Sequence, residues 1–320
     1  MVLVVNSNDY DLMIRRHNMR KYWTGVSALS ALLLVIFLLS LIPFRTLGTA
    51  KKPIRVVTSL NFYGEVAGEV AGKYGQVTSV INNASVDPHD YQPSTQQARA
   101  MGNANVVIQN GLGYDHWLTK LARSKGGQQV TMVDVARQVA GKKGGDNEHV
   151  WYQPATMGKL ATTLADQYSR IDPSHADYYH RRARTYLKSL VPLNNEIARV
   201  KQGVKANQMV AVSEPVFDYA LAHLGYRVMD PHFAKAIEDG NDPSPQDVAD
   251  LQTAIKEHRI AFFVENSQSD DRVIDNLVKL AHQHDVPVLK VTEAQPTGLN
   301  YRQWMMKQYQ NLAKIQREEN

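Results

Sequence analysis

Short apolar runs alternate with amphipathic segments from residue 54 onward. The first part of this region predicts four strands, at residues 54–60, 76–81, 104–109 and 130–135. Helical patterns follow the first and third of these strands, reaching residue 70 and spanning residues 114–124. Strand-like runs separated by helical segments are typical of βαβ units with a mostly parallel sheet. The pattern therefore predicts an α/β lobe.

The same alternation returns after residue 207. The predicted strands of this second lobe are residues 208–212, 226–229, 260–264 and 286–291. The predicted helices are residues 216–224, 244–257, 272–284 and 301–315. This region is therefore a second α/β lobe built on the same plan as the first.

The segment between the lobes has a helical pattern. Residues 173–205 contain almost no helix breaker apart from Pro192, and apolar side chains recur at helical spacing from Tyr179 to Val200. We predict one long helix in which Pro192 favours a bend. The predicted fold is α/β, with two Rossmann-like lobes and mostly parallel sheets joined by this backbone helix. The domains are residues 1–50 (tail and apolar helix), 51–172, 173–206 (linking helix) and 207–320.

The N-terminal region has the pattern of a membrane signal. Residues 22–44 are apolar and follow a basic cluster at residues 15–21, which places the N-terminus in the cytoplasm and the rest outside. Small residues at 48–50 fit a signal-peptidase site, but the apolar run is longer than a typical signal core. We therefore favour an uncleaved transmembrane anchor over a cleaved signal peptide. Met19 has the sequence context of a natural start, which leaves residues 1–18 as an upstream extension.

Composition removes several classes of function. The 320 residues are enough for two domains. The net charge of +5 comes largely from the first fifty residues and no dense basic stripe follows, so nothing indicates nucleic-acid binding. The chain has no cysteine, which excludes disulfides, thiolate metal sites, a cysteine nucleophile and a lipid-modified cysteine. Any metal ion must be held by nitrogen and oxygen ligands.

Two histidines have nearly matching local sequences. His89 lies in DPHDYQP (residues 87–93) and His149 in EHVWYQP (residues 148–154). In each motif an acidic residue precedes the histidine, and a tyrosine followed by Gln-Pro comes after it. One such histidine is more often a buried residue bonded to its acidic neighbour. Two in the same setting, on loops that lead into helices, favour a shared zinc or manganese ion.

Ligands of open α/β sheets bind beyond the carboxyl ends of the strands. His89 and His149 follow predicted strands of the first lobe, and Glu214, Asp270 and Asp271 follow predicted strands of the second. This arrangement predicts a site in the cleft between the lobes. Two other roles stay open: Glu214 is also suited to a helix start, and Asp270 or Asp271 to helix capping.

These motifs together resemble the solute-binding proteins of ABC importers for zinc and manganese, over roughly residue 54 to the C-terminus. The resemblance implies two lobes around a buried Zn²⁺ or Mn²⁺, held by His89, His149, Glu214 and one of Asp270 and Asp271. It implies delivery of the ion to an ABC permease whose ATPase is a separate chain. We expect a monomer at the outer face of the cell membrane.

The sequence also contains other candidate residues and allows other classes of function. His232 repeats the Asp-Pro-His tripeptide but matches no ligand position, and Glu238 and Asp239 are expected on a solvated surface. A metal-dependent hydrolase would need an open coordination position and a general base, and the chain has no His-Glu-x-x-His motif. A surface adhesin remains an alternative. We expect no catalytic activity.

Overall fold

The computed structural model describes residues 53–86, 88–89, 91–123 and 130–318. The apolar segment at residues 22–44, predicted to be an anchor or signal helix, lies outside these residues. Within the described ranges, no helix combines the length and apolar character needed to cross a membrane.

The described residues form two four-stranded parallel sheets. The first has the order β2-β1-β3-β4 and the second β6-β5-β7-β8. The strands are β1 (Ile54–Leu60), β2 (Gly75–Ile81), β3 (Val106–Gln109), β4 (Thr131–Asp134), β5 (Met209–Val212), β6 (Arg227–Val228), β7 (Phe263–Asn266) and β8 (Val288–Val291). The predicted pair of parallel α/β lobes is therefore confirmed.

Helices connect the strands and cover the sheets. They are α1 (Asn61–Ala71), α2 (Thr95–Asn103), α3 (His116–Arg123), α4 (Thr156–Ile171), α5 (Ala176–Ser189), α6 (Val191–Gln202), α7 (Asp218–Leu224), α8 (Pro231–Glu238), α9 (Pro245–Lys256), α10 (Arg272–Gln283) and α11 (Tyr301–Glu318). Short helical turns at Val150–Tyr152 and Pro215–Phe217 follow His149 and Glu214 directly.

The predicted linking helix is divided into two. Helix α5 ends at Ser189 and α6 begins at Val191, so the chain is interrupted at Leu190. Pro192 lies in the first turn of α6, where a missing N–H costs no helical hydrogen bond. The apolar stripe does pack in the core, with Tyr179 and Tyr186 almost fully buried.

The predicted strand at residues 260–264 is displaced toward the C-terminus. Strand β7 begins at Phe263 and includes Glu265 and Asn266, whereas Ile260 and Phe262 are buried in the segment before it. Buried residues before the strand are as apolar as the strand residues, so the hydrophobic pattern alone does not show where β7 begins.

Helix α11 packs against both lobes. The ring of Trp304 lies 5.6 Å from that of Phe62 in the first lobe, and the Tyr301 hydroxyl donates to the Trp151 carbonyl at 2.7 Å. The α11 side chain of Gln308 donates to the Tyr152 hydroxyl at 2.6 Å. Buried contacts of this kind fix the segment around residues 150–152, and therefore the loop that carries His149.

Candidate metal-binding site

Four potential metal ligands follow strands at the same edge of the two sheets. His89 lies in the loop after β2 and His149 in the segment after β4, and Glu214 and Glu293 each lie two residues past the end of a strand, β5 and β8 respectively. A cavity of about 500 Å³ opens at this edge, and His89, Glu214 and Glu293 line it. Parallel strands bring their carboxyl ends to one edge, so residues distant in sequence converge there.

His89 is the more exposed of the two histidines. Its side chain is 40% exposed, and its Nε2 lies 3.9 Å from Oε1 of Glu148. The edge of its ring packs on Tyr114, with the ring centroids 4.8 Å apart. Tyr114 also lies 6.2 Å from the ring of His149, so both histidines share one aromatic neighbour.

His149 is buried and its orientation is fixed from behind. Its side chain is 1% exposed, and the side-chain oxygen of Asn147 lies 2.9 Å from its Nδ1 and 2.8 Å from its backbone nitrogen. Asn147 is itself held by the second lobe, since it donates to the Pro215 carbonyl at 2.6 Å and accepts from the Tyr219 hydroxyl at 2.7 Å. With the proton on Nδ1, the lone pair of Nε2 is directed away from Asn147.

Glu293 faces Nε2 of His149. Its Oε1 lies 3.7 Å from Nε2 of His149 and accepts a 2.7 Å hydrogen bond from the Tyr114 hydroxyl. Burial raises the pKa of Glu293, but His149, Tyr114 and His89 together outweigh it and the net pKa is lowered. A carboxylate that stays ionised in a buried site is suited to bind a cation.

Glu214 is the second carboxylate of this edge. It is buried and accepts a 2.6 Å hydrogen bond from the side-chain amide of Asn266. Burial raises its pKa, and hydrogen bonds from Ser269 and Asn266 only partly oppose that rise. A bound cation would favour the ionised form that burial disfavours.

Two further carboxylates surround His149. The potential ligand atoms of Glu148, His149 and Glu238 all lie within 4.8 Å of one another. Oε1 of Glu238 is 3.4 Å from Nδ1 of His149. Burial raises the pKa of Glu238, and Glu148 raises it further. The sequence-based expectation that Glu238 is a solvated surface residue is therefore wrong.

The surrounding acids determine the protonation of His149. Burial lowers the pKa of His149, but hydrogen bonding and charge attraction to Glu293, with the charges of Glu238 and Glu148, outweigh it. The net pKa of His149 is raised, so the surrounding carboxylates favour the imidazolium form over the neutral ring. A divalent ion would replace that positive charge.

Asp270 and Asp271 do not reach the site. Asp270 is exposed, and Asp271 caps α10 by accepting from the backbone N–H groups of Val273 and Ile274. Neither lines the cavity, although Ser269 next to them does. Capping fixes the Asp271 carboxylate at the helix start, so the structure brings neither aspartate to the cavity, although the sequence suggested one of them as a ligand.

Two other residues with metal-capable side chains lie away from the cavity. His232 is exposed on the first turn of α8 and does not line the cavity. Glu265 lies on β7, does not line the cavity, and has its Oε2 3.4 Å from Nζ of Lys290.

Sequence reasoning missed four residues of the site. Glu293 had a usable signal, because it stands two residues past the last predicted strand. Asn147, Tyr114 and Glu238 had no such signal. They lie in a loop, in the segment after β3 and at the end of α8, and their sequence spacing does not indicate metal binding.

Comparisons with known proteins identify relatives of this chain. Residues 56–315 match the family model of ZnuA, the zinc-uptake complex component A, periplasmic. The manganese-binding lipoprotein MntA of Halalkalibacterium halodurans is 25% identical over 220 residues, covering 67% of this chain and 71% of MntA. The high-affinity zinc uptake system protein ZnuA of Bacillus subtilis is 20% identical over 279 residues, covering 81% and 85%.

A solved structure has the same fold. The periplasmic zinc-binding protein TroA of Treponema pallidum superposes with a TM-score of 0.67 at 16% identity, covering 82% of this chain and 98% of TroA. The family model spans most of the chain and includes both lobes. This chain therefore belongs to the ZnuA family.

Proposed function

We propose that this protein captures a divalent metal ion, Zn²⁺ or Mn²⁺, between its lobes and delivers it to an ABC-type importer. The first lobe would supply His89 and His149, and the second Glu214 and Glu293. The matching family model describes a periplasmic component of a zinc-uptake complex, which supports a role in transport. The related MntA and ZnuA proteins are named for manganese binding and zinc uptake.

The observation that carries the proposal is the 3.7 Å separation between Nε2 of His149, in the first lobe, and Oε1 of Glu293, which lines the cavity from the second lobe. An ion between two such atoms would sit about 2.0–2.2 Å from each, which this spacing permits. Glu214 and His89 line the same cavity. Two imidazoles and two carboxylates then complete a four-ligand site.

This ligand set suits both ions. Zinc accepts two nitrogens and two oxygens in a tetrahedron, whereas manganese takes more oxygen ligands, which bidentate carboxylates would provide. The Irving–Williams order places zinc above manganese in affinity at a given site. We therefore expect tighter binding of Zn²⁺ at equilibrium in vitro, whichever ion the cell supplies.

Delivery requires a membrane partner. We propose that a permease accepts the ion and that a separate ATPase chain drives transport. We further propose that this protein acts as a monomer at the outer face of the cell membrane, held there by the apolar segment at residues 22–44. The lipoprotein relative is consistent with a tethered binding protein.

Metal titration of the full-length protein tests the proposal. In separate titrations against a chromophoric chelator, the protein should bind one equivalent of Zn²⁺ or one equivalent of Mn²⁺ per chain, with the higher affinity for Zn²⁺. His149→Ala should abolish tight binding of both ions while the circular dichroism spectrum is unchanged. Binding well below one equivalent for both ions would contradict the proposal.

A further inference from the structure

Glu238 is a buried carboxylate that the four-ligand site leaves without a role. It ends α8 with a side chain only 9% exposed, and it lines the cavity. Its Oε1 is buried and accepts no hydrogen bond, yet it lies 3.4 Å from Nδ1 of His149. An ionised group buried this deeply is costly unless it interacts with a nearby positive or polarised group.

The two nitrogens of His149 face different surroundings. Glu293 lies on the Nε2 side at 3.7 Å, whereas Asn147 and Glu238 lie on the Nδ1 side at 2.9 and 3.4 Å. A neutral imidazole has one N–H and one lone pair. If an ion takes the lone pair of Nε2, the proton of the neutral ring lies on Nδ1, beside these two oxygen acceptors.

We propose that Glu238 is a positioning residue that strengthens metal binding through His149, an inference that rests on the proposed function. A carboxylate beside the N–H of a metal-bound imidazole fixes the ring and makes its other nitrogen a better donor. Asn147 holds the ring by a neutral hydrogen bond, and Glu238 adds negative charge on the same side.

The neighbours of Glu238 hold its carboxylate in place. Nζ of Lys235 lies 3.0 Å from Oε2, the oxygen that does not face His149. The same ammonium group binds Asp239 at 2.7 Å. The start of α8 is capped by Asp230, which accepts from the backbone N–H of Phe233. Lys235 therefore anchors one oxygen while the other is directed at the imidazole.

Zinc affinity of Glu238→Gln tests the proposal. The glutamine keeps the shape and an oxygen acceptor but removes the charge, so the affinity for Zn²⁺ should fall by about 10- to 100-fold with the stoichiometry still one. The matched control is Glu257→Gln, because Glu257 is exposed and pairs with Arg259. That control should bind Zn²⁺ like the wild type.

A spectroscopic readout separates this role from a merely structural one. In Zn²⁺-loaded protein labelled with ¹⁵N-histidine, the Nδ1–H signal of His149 should shift in Glu238→Gln, and the signals of His89 should shift less. Weaker binding with an unmoved Nδ1 signal would overturn the proposal. The proposal would also be overturned if the wild type bound a second equivalent of Zn²⁺ and Glu238→Gln did not, because Glu238 would then be a metal ligand.

The two levels of inference fail differently. Wild-type protein that binds neither Zn²⁺ nor Mn²⁺ would remove the proposed function. Wild-type protein that binds one ion, with Glu238→Gln binding it equally well, would remove only the role of Glu238.

Discussion

Oε1 of Glu293 lies 3.7 Å from Nε2 of His149, and the contact joins the second lobe to the first. The Tyr114 hydroxyl donates to the same Glu293 oxygen at 2.7 Å. Each lobe therefore places one potential ligand atom within reach of the same small ion.

Replacing Glu293 should distinguish the site seen in the structure from the one the sequence suggested. Glu293→Gln removes a charged oxygen facing His149, so we expect Zn²⁺ affinity to fall by more than about 100-fold, beyond the usual effect of an outer residue. Chelator competition measures the change.

The control for Glu293 is the double variant Asp270→Asn, Asp271→Asn. Asparagine also caps helices well, so α10 should keep its start and the fold its stability. The double variant should bind Zn²⁺ like the wild type. A large loss of affinity there, with Glu293→Gln unaffected, would restore the aspartates as ligands.

Metal affinity should depend on pH over a higher range than for free imidazole. The pKa of His149 is raised by the carboxylates that outweigh its burial, so protons compete with the ion already above the ordinary value of about 6.5. Below the raised pKa, affinity should fall by about tenfold per pH unit. Titrations at pH 8, 7 and 6 measure this, and equal affinity at pH 8 and pH 6 would argue against ligation by histidine.

Tyr114→Phe should weaken metal binding without disrupting the core. The ring stays between His89 and His149, while Glu293 loses its 2.7 Å hydrogen bond. A hydrogen bond to a charged group contributes about 1.5–3 kcal/mol, so affinity should fall by roughly 10- to 100-fold. Chelator competition at pH 8 measures it, and thermal unfolding of the metal-free variant controls for damage to the fold. Unchanged affinity would mean that Glu293 is held by other contacts.

Asp218→Asn should stabilise the metal-free protein at alkaline pH. Burial raises the pKa of Asp218 from 3.8 to about 6, so ionising this group in the folded state costs free energy that the unfolded state does not spend. This free-energy cost is absent below pH 3.8, grows between pH 3.8 and about pH 6, and is complete above about pH 6. The gain from asparagine should be at most about 3 kcal/mol, and smaller because its amide also needs partners. Urea unfolding at pH 8 and pH 4 checks that the gain is larger at pH 8.

Gln268→Ala should speed release of the ion. Gln268, at the cavity, donates to the Ala84 carbonyl of the first lobe at 3.1 Å and accepts from the Ala294 backbone at 2.8 Å. Loss of the exposed contact between lobes removes about 0.5–1.5 kcal/mol, which corresponds to a roughly two- to tenfold faster off-rate. Stopped-flow release of Zn²⁺ into excess chelator measures it. Gln246→Ala, on the surface of α9, is the control.

The fold could be predicted from sequence because each element carries a local signal. Strand β1 lies where the valine-rich run predicts it, and hydrophobic spacing predicts the eight strands in order, whereas helix α8 has no predicted counterpart. The break at Leu190 and the start of β7 at Phe263 differ from the prediction, because burial and helix ends depend on packing that spacing does not record.

The sequence by itself determined the two-lobed architecture and brought His89, His149 and Glu214 to strand ends, since parallel strands direct their following loops to one edge. Only the tertiary structure decided which carboxylates lie close to His149. Asp271 turns to its own helix, whereas Glu293 and Glu238 reach His149. The physical reason is that side-chain direction and distance across a cavity arise from contacts between segments far apart in the chain, which no local pattern encodes.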